Sequence, residues 1–207
     1  MDMSYRIALR HIGLLSQVGM GLMLLPAHAW VLNITPGTRA VYLAVGNATT
    51  NAANATVNQV GTTLLLANVT SGIPQPLLTS NSTQAASPYD GYTVCTPGAG
   101  QIYVGGFFRM PGASASTAVL QVTTPAGLTS GVNSIPFSQI SWASTSIGNN
   151  SIADIPAGTF VNGGTLFLRS FAANNYVENC HAFTYANTNI VPAGIYQGQA
   201  SYTLTAP

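Results

Sequence analysis

The closing stretch, a Val191-Pro192-Ala193-Gly194 turn followed by residues 195–207, restricts the fold more than any other part of the chain. In an extended backbone side chains alternate faces, so Tyr196, Gly198, Ala200, Tyr202, Leu204 and Ala206 fall on one side. Ile195, Gln197, Gln199, Ser201 and Thr203 fall on the other. A strand with one apolar face must have that face covered by a second layer. The same reading upstream gives short strands at 39–46, 57–69, 91–96, 101–109, 117–124, 138–142, 165–171 and 179–185, separated by Gly, Pro, Asn and Ser. In 165–171, for example, Leu166, Leu168 and Ser170 oppose Phe167, Arg169 and Phe171. No stretch after the N-terminal thirty residues holds a capped 3.6-residue period, so the expected fold class is an all-β sandwich in one domain.

The first residues have a separate purpose. Arg6 and Arg10 precede an uncharged, mostly apolar run at 12–25, and Ala27-His28-Ala29 has the small-x-small form of a signal peptidase site. The run of about fourteen residues is short of the roughly 20 that a spanning helix needs. Residues 1–29 therefore read as a secretory signal peptide, and the mature chain is expected to begin at Trp30.

The mature part contains no lysine. Its formal charges are Arg39, Arg109 and Arg169 against Asp90, Asp154 and Glu178, which sum to zero with His181 neutral. A surface of Thr, Ser, Asn, Gln and Gly with no net charge repels its own copies weakly and offers nothing to neutralise a phosphate backbone. Self-association is favoured and nucleic acid is not an expected partner. Cys95 and Cys180, the two cysteines of an exported chain, are expected to form a disulfide stapling two strands.

Few residues suit catalysis. His181 is the only mature histidine, so a site built from several His ligands is ruled out, and a Cys-His pair would need a free thiol. A hydrogen-bonded structural role is the expectation for it. Asp90 and Asp154 stand in turn contexts, Ser-Pro-Tyr-Asp-Gly-Tyr and Ile-Ala-Asp-Ile-Pro. Gly105-Gly106 inside a strand pattern suggests a bulge or a close backbone approach. The reading is a protein that is not an enzyme and carries no cofactor or metal. Tyr89, Tyr92, Tyr103, Phe107 and Phe108 cluster in sequence, and aromatics on a sandwich serve either the core or a sugar-stacking platform.

The Gly194 turn followed by Tyr-x-Gly-x-Ala-x-Tyr-Thr-Leu resembles the C-terminal strand of chaperone-usher pilus subunits, in particular the archaic and alternative branches. Many subunits of the family carry Tyr at the penultimate position, where this chain has Ala206. The resemblance implies an immunoglobulin-like sandwich that lacks one strand, completed by donor-strand exchange. Tyr196, Gly198, Ala200, Tyr202 and Leu204 would line the acceptor groove of domain 47–207. Two alternating runs in the N-terminal extension 30–46 are candidate donors, Trp30, Leu32 and Ile34 before Pro36-Gly37, and Val41, Leu43 and Val45 after it. It further implies identical or related pilus subunits, a periplasmic chaperone and an outer-membrane usher as partners, a location on a surface fimbria, and a role in adhesion or biofilm formation. The alternative is a non-polymeric secreted sandwich that binds glycans or cell-surface partners.

Overall fold

The computed structural model describes residues 37–47, 57–112, 115–145 and 153–207. The proposed signal peptide and Trp30, Leu32 and Ile34 lie outside the described residues. The strands in chain order are β1 (Ala40–Val45), β2 (Val60–Gly61), β3 (Gln75–Pro76), β4 (Leu78–Thr79), β5 (Gln101–Arg109), β6 (Thr117–Thr124) and β7 (Gly127–Ser130). They continue with β8 (Asn133–Pro136), β9 (Ile140–Thr145), β10 (Gly158–Thr159), β11 (Gly164–Ala172), β12 (Asn175–Tyr185) and β13 (Ser201–Thr205). One helical turn, α1 (Leu66–Val69), follows β2.

The larger sheet has the order β1-β5-β12-β9-β10, with β3 added to the end of β12, and the smaller has the order β11-β6-β13. All pairings are antiparallel. The fold is an all-β sandwich. Taking β1, β5, β6, β9, β12 and β13 as strands A to F of an immunoglobulin-like arrangement, the first sheet holds A-B-E-D and the second holds C-F. β13 stands at the end of its sheet among the described residues.

Period-2 patterning explains which side chains meet. Ile102, Val104 and Phe108 of β5, Ala118, Leu120 and Val122 of β6, and Val177, Phe183 and Tyr185 of β12 form the inner core with Phe137, Trp142, Ile155 and Phe160. Phe160 packs edge-on to Phe137 at 5.3 Å and tilted on Trp142 at 4.8 Å. β5 and β6 have the bounds that alternation predicts. β12 begins four residues earlier than expected, after a turn in which Asn174 takes φ 59° and its N–H donates to the Phe108 carbonyl.

Other expectations are corrected. The 57–69 run is the short β2 plus α1, whose end is tied by Thr70 Oγ1 donating to the Leu66 carbonyl. Residues 91–96 make a loop with a single bridge, Ala86 to Thr93, so the disulfide joins a loop to a strand and not two strands. In β11 the register against β6 skips between Phe167 and Arg169, a bulge that turns Leu168 inward while Phe171 is also buried. Strict alternation put those two residues on opposite faces. The β7–β8 hairpin turns on Gly131 at φ +59° and was not among the expected strands.

Candidate functional site: the open edge of the closing strand

β13 pairs with β6 from Ser201↔Thr123 to Thr205↔Val119, which leaves its opposite edge without a backbone partner among the described residues. The closing stretch is less regular than alternation suggests. Before Ser201 it makes one bridge, in which Thr129 and Gln197 exchange hydrogen bonds of 2.8 and 3.1 Å. The inward row nevertheless follows the expected parity: Tyr196, Ala200, Tyr202, Leu204 and Ala206 are half-buried against the core, with exposed residues between them. Gly198 belongs to the same row, since a Cβ there would lie 2.8 Å from Leu128 Cδ2 and 3.0 Å from Phe137 Cε2. On the neighbouring β6 the inward row is closed, with Ala118 and Leu120 at 0 % exposure. The apolar face of β13 is thus a half-covered margin beside the closed row of β6.

β1 borders the same margin from the other sheet. It pairs with β5 from Ala40↔Arg109 to Val45↔Val104, and Leu43 and Val45 face the core half-buried. Val41, Leu43 and Val45, one of the two candidate donor runs, are therefore part of the first strand of their own domain. Gly105 and Gly106 create no bulge, because the register of β5 with both neighbours is continuous. Each makes room for a side chain. A Cβ on Gly106 would stand 3.1 Å from Leu204 Cδ2 and 3.4 Å from Phe171 Cζ, so Leu204 of β13 settles over the bare backbone of β5. A Cβ on Gly105, on the outer face, would lie 2.3 Å from Tyr103 Oη. At one end of the margin Arg39 Nη2 donates to the Ala206 carbonyl at 2.8 Å.

The outer face of the larger sheet carries a second, polar core. Cys95 and Cys180 are bonded with a Cα–Cα distance of 5.5 Å, and the loop they anchor covers Ala44 and Tyr103. Beneath it Glu178 is fully buried, and its Oε2 accepts from Tyr103 Oη at 2.6 Å and Ser87 Oγ at 2.7 Å. Burial pushes the Glu178 carboxyl up to about 6, against the lowering effect of those two bonds. Asp90 accepts from Tyr176 Oη at 3.1 Å, and burial raises the pKa of Asp154, which lies near the Glu178 backbone. Asp90, Asp154 and Glu178 lie near one another around β12, although the sequence separates Asp90 from Glu178 by about half of the domain. Among the described residues no group of three or more His, Cys, Asp or Glu has the arrangement of a metal site.

His181 sits on the inner face of β12, fully buried, with its ring 5.8 Å from that of Trp142 and 6.2 Å from that of Phe183. Neither ring nitrogen has a hydrogen-bond partner among the described residues, which corrects the expectation of a hydrogen-bonded histidine. Burial pulls its pKa down to about 3, so the ring is neutral.

The five clustered aromatics divide between the two roles considered. Tyr103 and Phe108 are buried, while Tyr89, Tyr92 and Phe107 are half-buried on the outer side. Tyr42, which alternation alone did not single out, stacks beside Phe107 at 5.6 Å and 10°, because the two are paired in register across β1 and β5. Comparison with known proteins finds no matching family model, no matching curated protein and no matching solved structure.

Proposed function

We propose that this chain is a structural subunit of a surface pilus, whose sandwich takes up a strand from a neighbouring subunit along the open edge of β13. The observation that carries the reading is the half-covered row Tyr202, Leu204 and Ala206, facing half-covered Leu43 and Val45, beside an edge with no backbone partner among the described residues. An unpaired edge with an apolar margin is an association hazard unless another strand occupies it. Main-chain ladder bonds and alternate side-chain insertion are the means by which β-strand addition binds. The closing residues' resemblance to chaperone-usher subunits and the net-neutral, lysine-free composition after residue 29 support the same reading.

Since β1 is paired within its own domain, the donor is assigned to Trp30, Leu32 and Ile34. Covering three such side chains is worth on the order of 5 to 9 kcal/mol of burial. The partners in this reading are identical or related subunits, with a periplasmic chaperone and an outer-membrane usher before assembly. Adhesion or biofilm formation would be its role at the cell surface. The test is Ala200→Arg or Leu204→Arg, each placing a charge in the half-covered row. Export and the disulfide should persist while polymer disappears; polymer at the wild-type level would sink the proposal.

One observation favours a second reading, glycan binding on the outer sheet face. Tyr42 and Phe107 present two half-buried rings stacked with their planes within 10° of parallel, beside Tyr89 and Tyr176. Loss of oligosaccharide binding in Phe107→Ala, with polymer unchanged, would favour that reading; no oligosaccharide binding by the wild-type chain would dismiss it.

A further inference from the structure

β1 and β13 lie close together across the margin without pairing with each other. Cα atoms of the two strands approach within 8 Å, yet they belong to different sheets and no backbone hydrogen bond joins them among the described residues. Hydrogen-bonded neighbours lie about 4.8 Å apart, so a guest strand bonded on both sides needs its hosts about 9.6 Å apart. Where they approach, the two edges are closer than a strand bonded to both would require. Leu204, seated over Gly106, fills the floor of the narrowed margin.

Among the described residues a polar contact ties the two edges across it. Arg39 immediately precedes β1, Ala206 immediately follows β13, and the 2.8 Å bond from Arg39 Nη2 to the Ala206 carbonyl spans the gap between them. Both residues are solvent-accessible and the acceptor is a neutral carbonyl. Breaking the bond returns a guanidinium and a carbonyl to water and strands no buried charge, in contrast to an internal ion pair.

We infer that Arg39 is a latch on the strand-accepting margin: its bond to Ala206 holds β1 and β13 in the narrow spacing and is released when a guest strand enters. The inference rests on the strand-accepting reading above. A guest running the length of β13 must part the edges at the Ala206 end, and the side chain that crosses that end is Arg39. Arg39 is thus a positioning residue that sets the barrier to uptake and leaves the guest's own contacts unchanged.

The experiment follows a fluorescein-labelled peptide covering residues 30–36, in excess over the full mature chain, by the rise in anisotropy. Wild type is compared with Arg39→Met, which keeps much of the length and loses every donor, and Arg39→Lys, which keeps a charged donor. Uptake should be about fivefold faster in Arg39→Met, the factor an exposed charged hydrogen bond of ordinary strength supplies, and close to wild type in Arg39→Lys. Equal rates in wild type and Arg39→Met, or slower uptake in Arg39→Met, would overturn the latch while leaving strand acceptance standing. Acceleration in Arg39→Lys equal to that in Arg39→Met would overturn it as well, since the donor would then be irrelevant. Uptake by none of the three would overturn strand acceptance and the latch together.

Discussion

Replacing His181 with leucine isolates the effect of a buried base that has no hydrogen-bond partner among the described residues. The ring is fully buried between Trp142 and Phe183, and its pKa falls from the ordinary 6.5 to about 3 because the core cannot solvate an imidazolium. A base with a depressed folded-state pKa binds its proton more readily in the unfolded chain. Its contribution to stability is therefore complete above 6.5 and is lost as the pH falls toward 3. Between about pH 7.5 and about pH 5 the loss works out at about 2 kcal/mol. Leucine is close in volume, removes two unsatisfied nitrogens worth about 1 to 3 kcal/mol, and forfeits ring contacts worth about 0.5 to 1.5 kcal/mol. At about pH 7.5 the variant should be equal to wild type or more stable by up to about 2 kcal/mol. At about pH 5 its advantage should grow by a further 2 kcal/mol or so. Urea unfolding of the oxidised mature chain at the two pH values reads both quantities. If the difference between variant and wild type is the same at both, the imidazole is not held neutral by the core and the reasoning fails.

Glu178 gives the opposite slope. With its folded-state pKa raised from 4.5 to about 6, its stabilising influence is complete below 4.5 and is lost as the pH rises through 6. Glu178→Gln should remove a gain of about 1 to 2 kcal/mol that wild type receives on acidification from about pH 7.5 to about pH 4, and an unchanged unfolding profile would argue against an ionisable group there. Gly106→Val should cost about 1 to 3 kcal/mol, seen as a lower thermal midpoint, because even the Cβ meets Leu204 and Phe171 at 3.1 and 3.4 Å. An unaltered midpoint would mean that Leu204 does not rest on β5.

The legible parts of the fold were those governed by one strand at a time. The pattern Gln-Ile-Tyr-Val-Gly-Gly-Phe-Phe-Arg places Ile102, Val104 and Phe108 on one face wherever the strand ends up, and β5 has the expected bounds. The parity of Tyr196, Ala200, Tyr202 and Leu204 was legible for the same reason, and the even cysteine count pointed to the Cys95–Cys180 pairing. The bulge at Leu168 was not, because an extra residue is inserted in response to a partner strand and leaves no period in the sequence itself. The aromatic pair Tyr42–Phe107 likewise exists only through the register of β1 against β5.

Alternation, turn residues and charge count by themselves determined that this is an all-β chain with a one-sided apolar closing strand and a nearly uncharged surface. They could do so because each depends on neighbours a few residues away. Tertiary structure alone decided that the Cys95 loop roofs the larger sheet, that Asp90, Asp154 and Glu178 lie near one another around β12, and that His181 has no hydrogen-bond partner among the described residues. It also decided that Arg39 reaches Ala206 across the margin between β1 and β13. Those outcomes depend on which strands become neighbours, and periodicity assigns a residue to a face without assigning that face a partner.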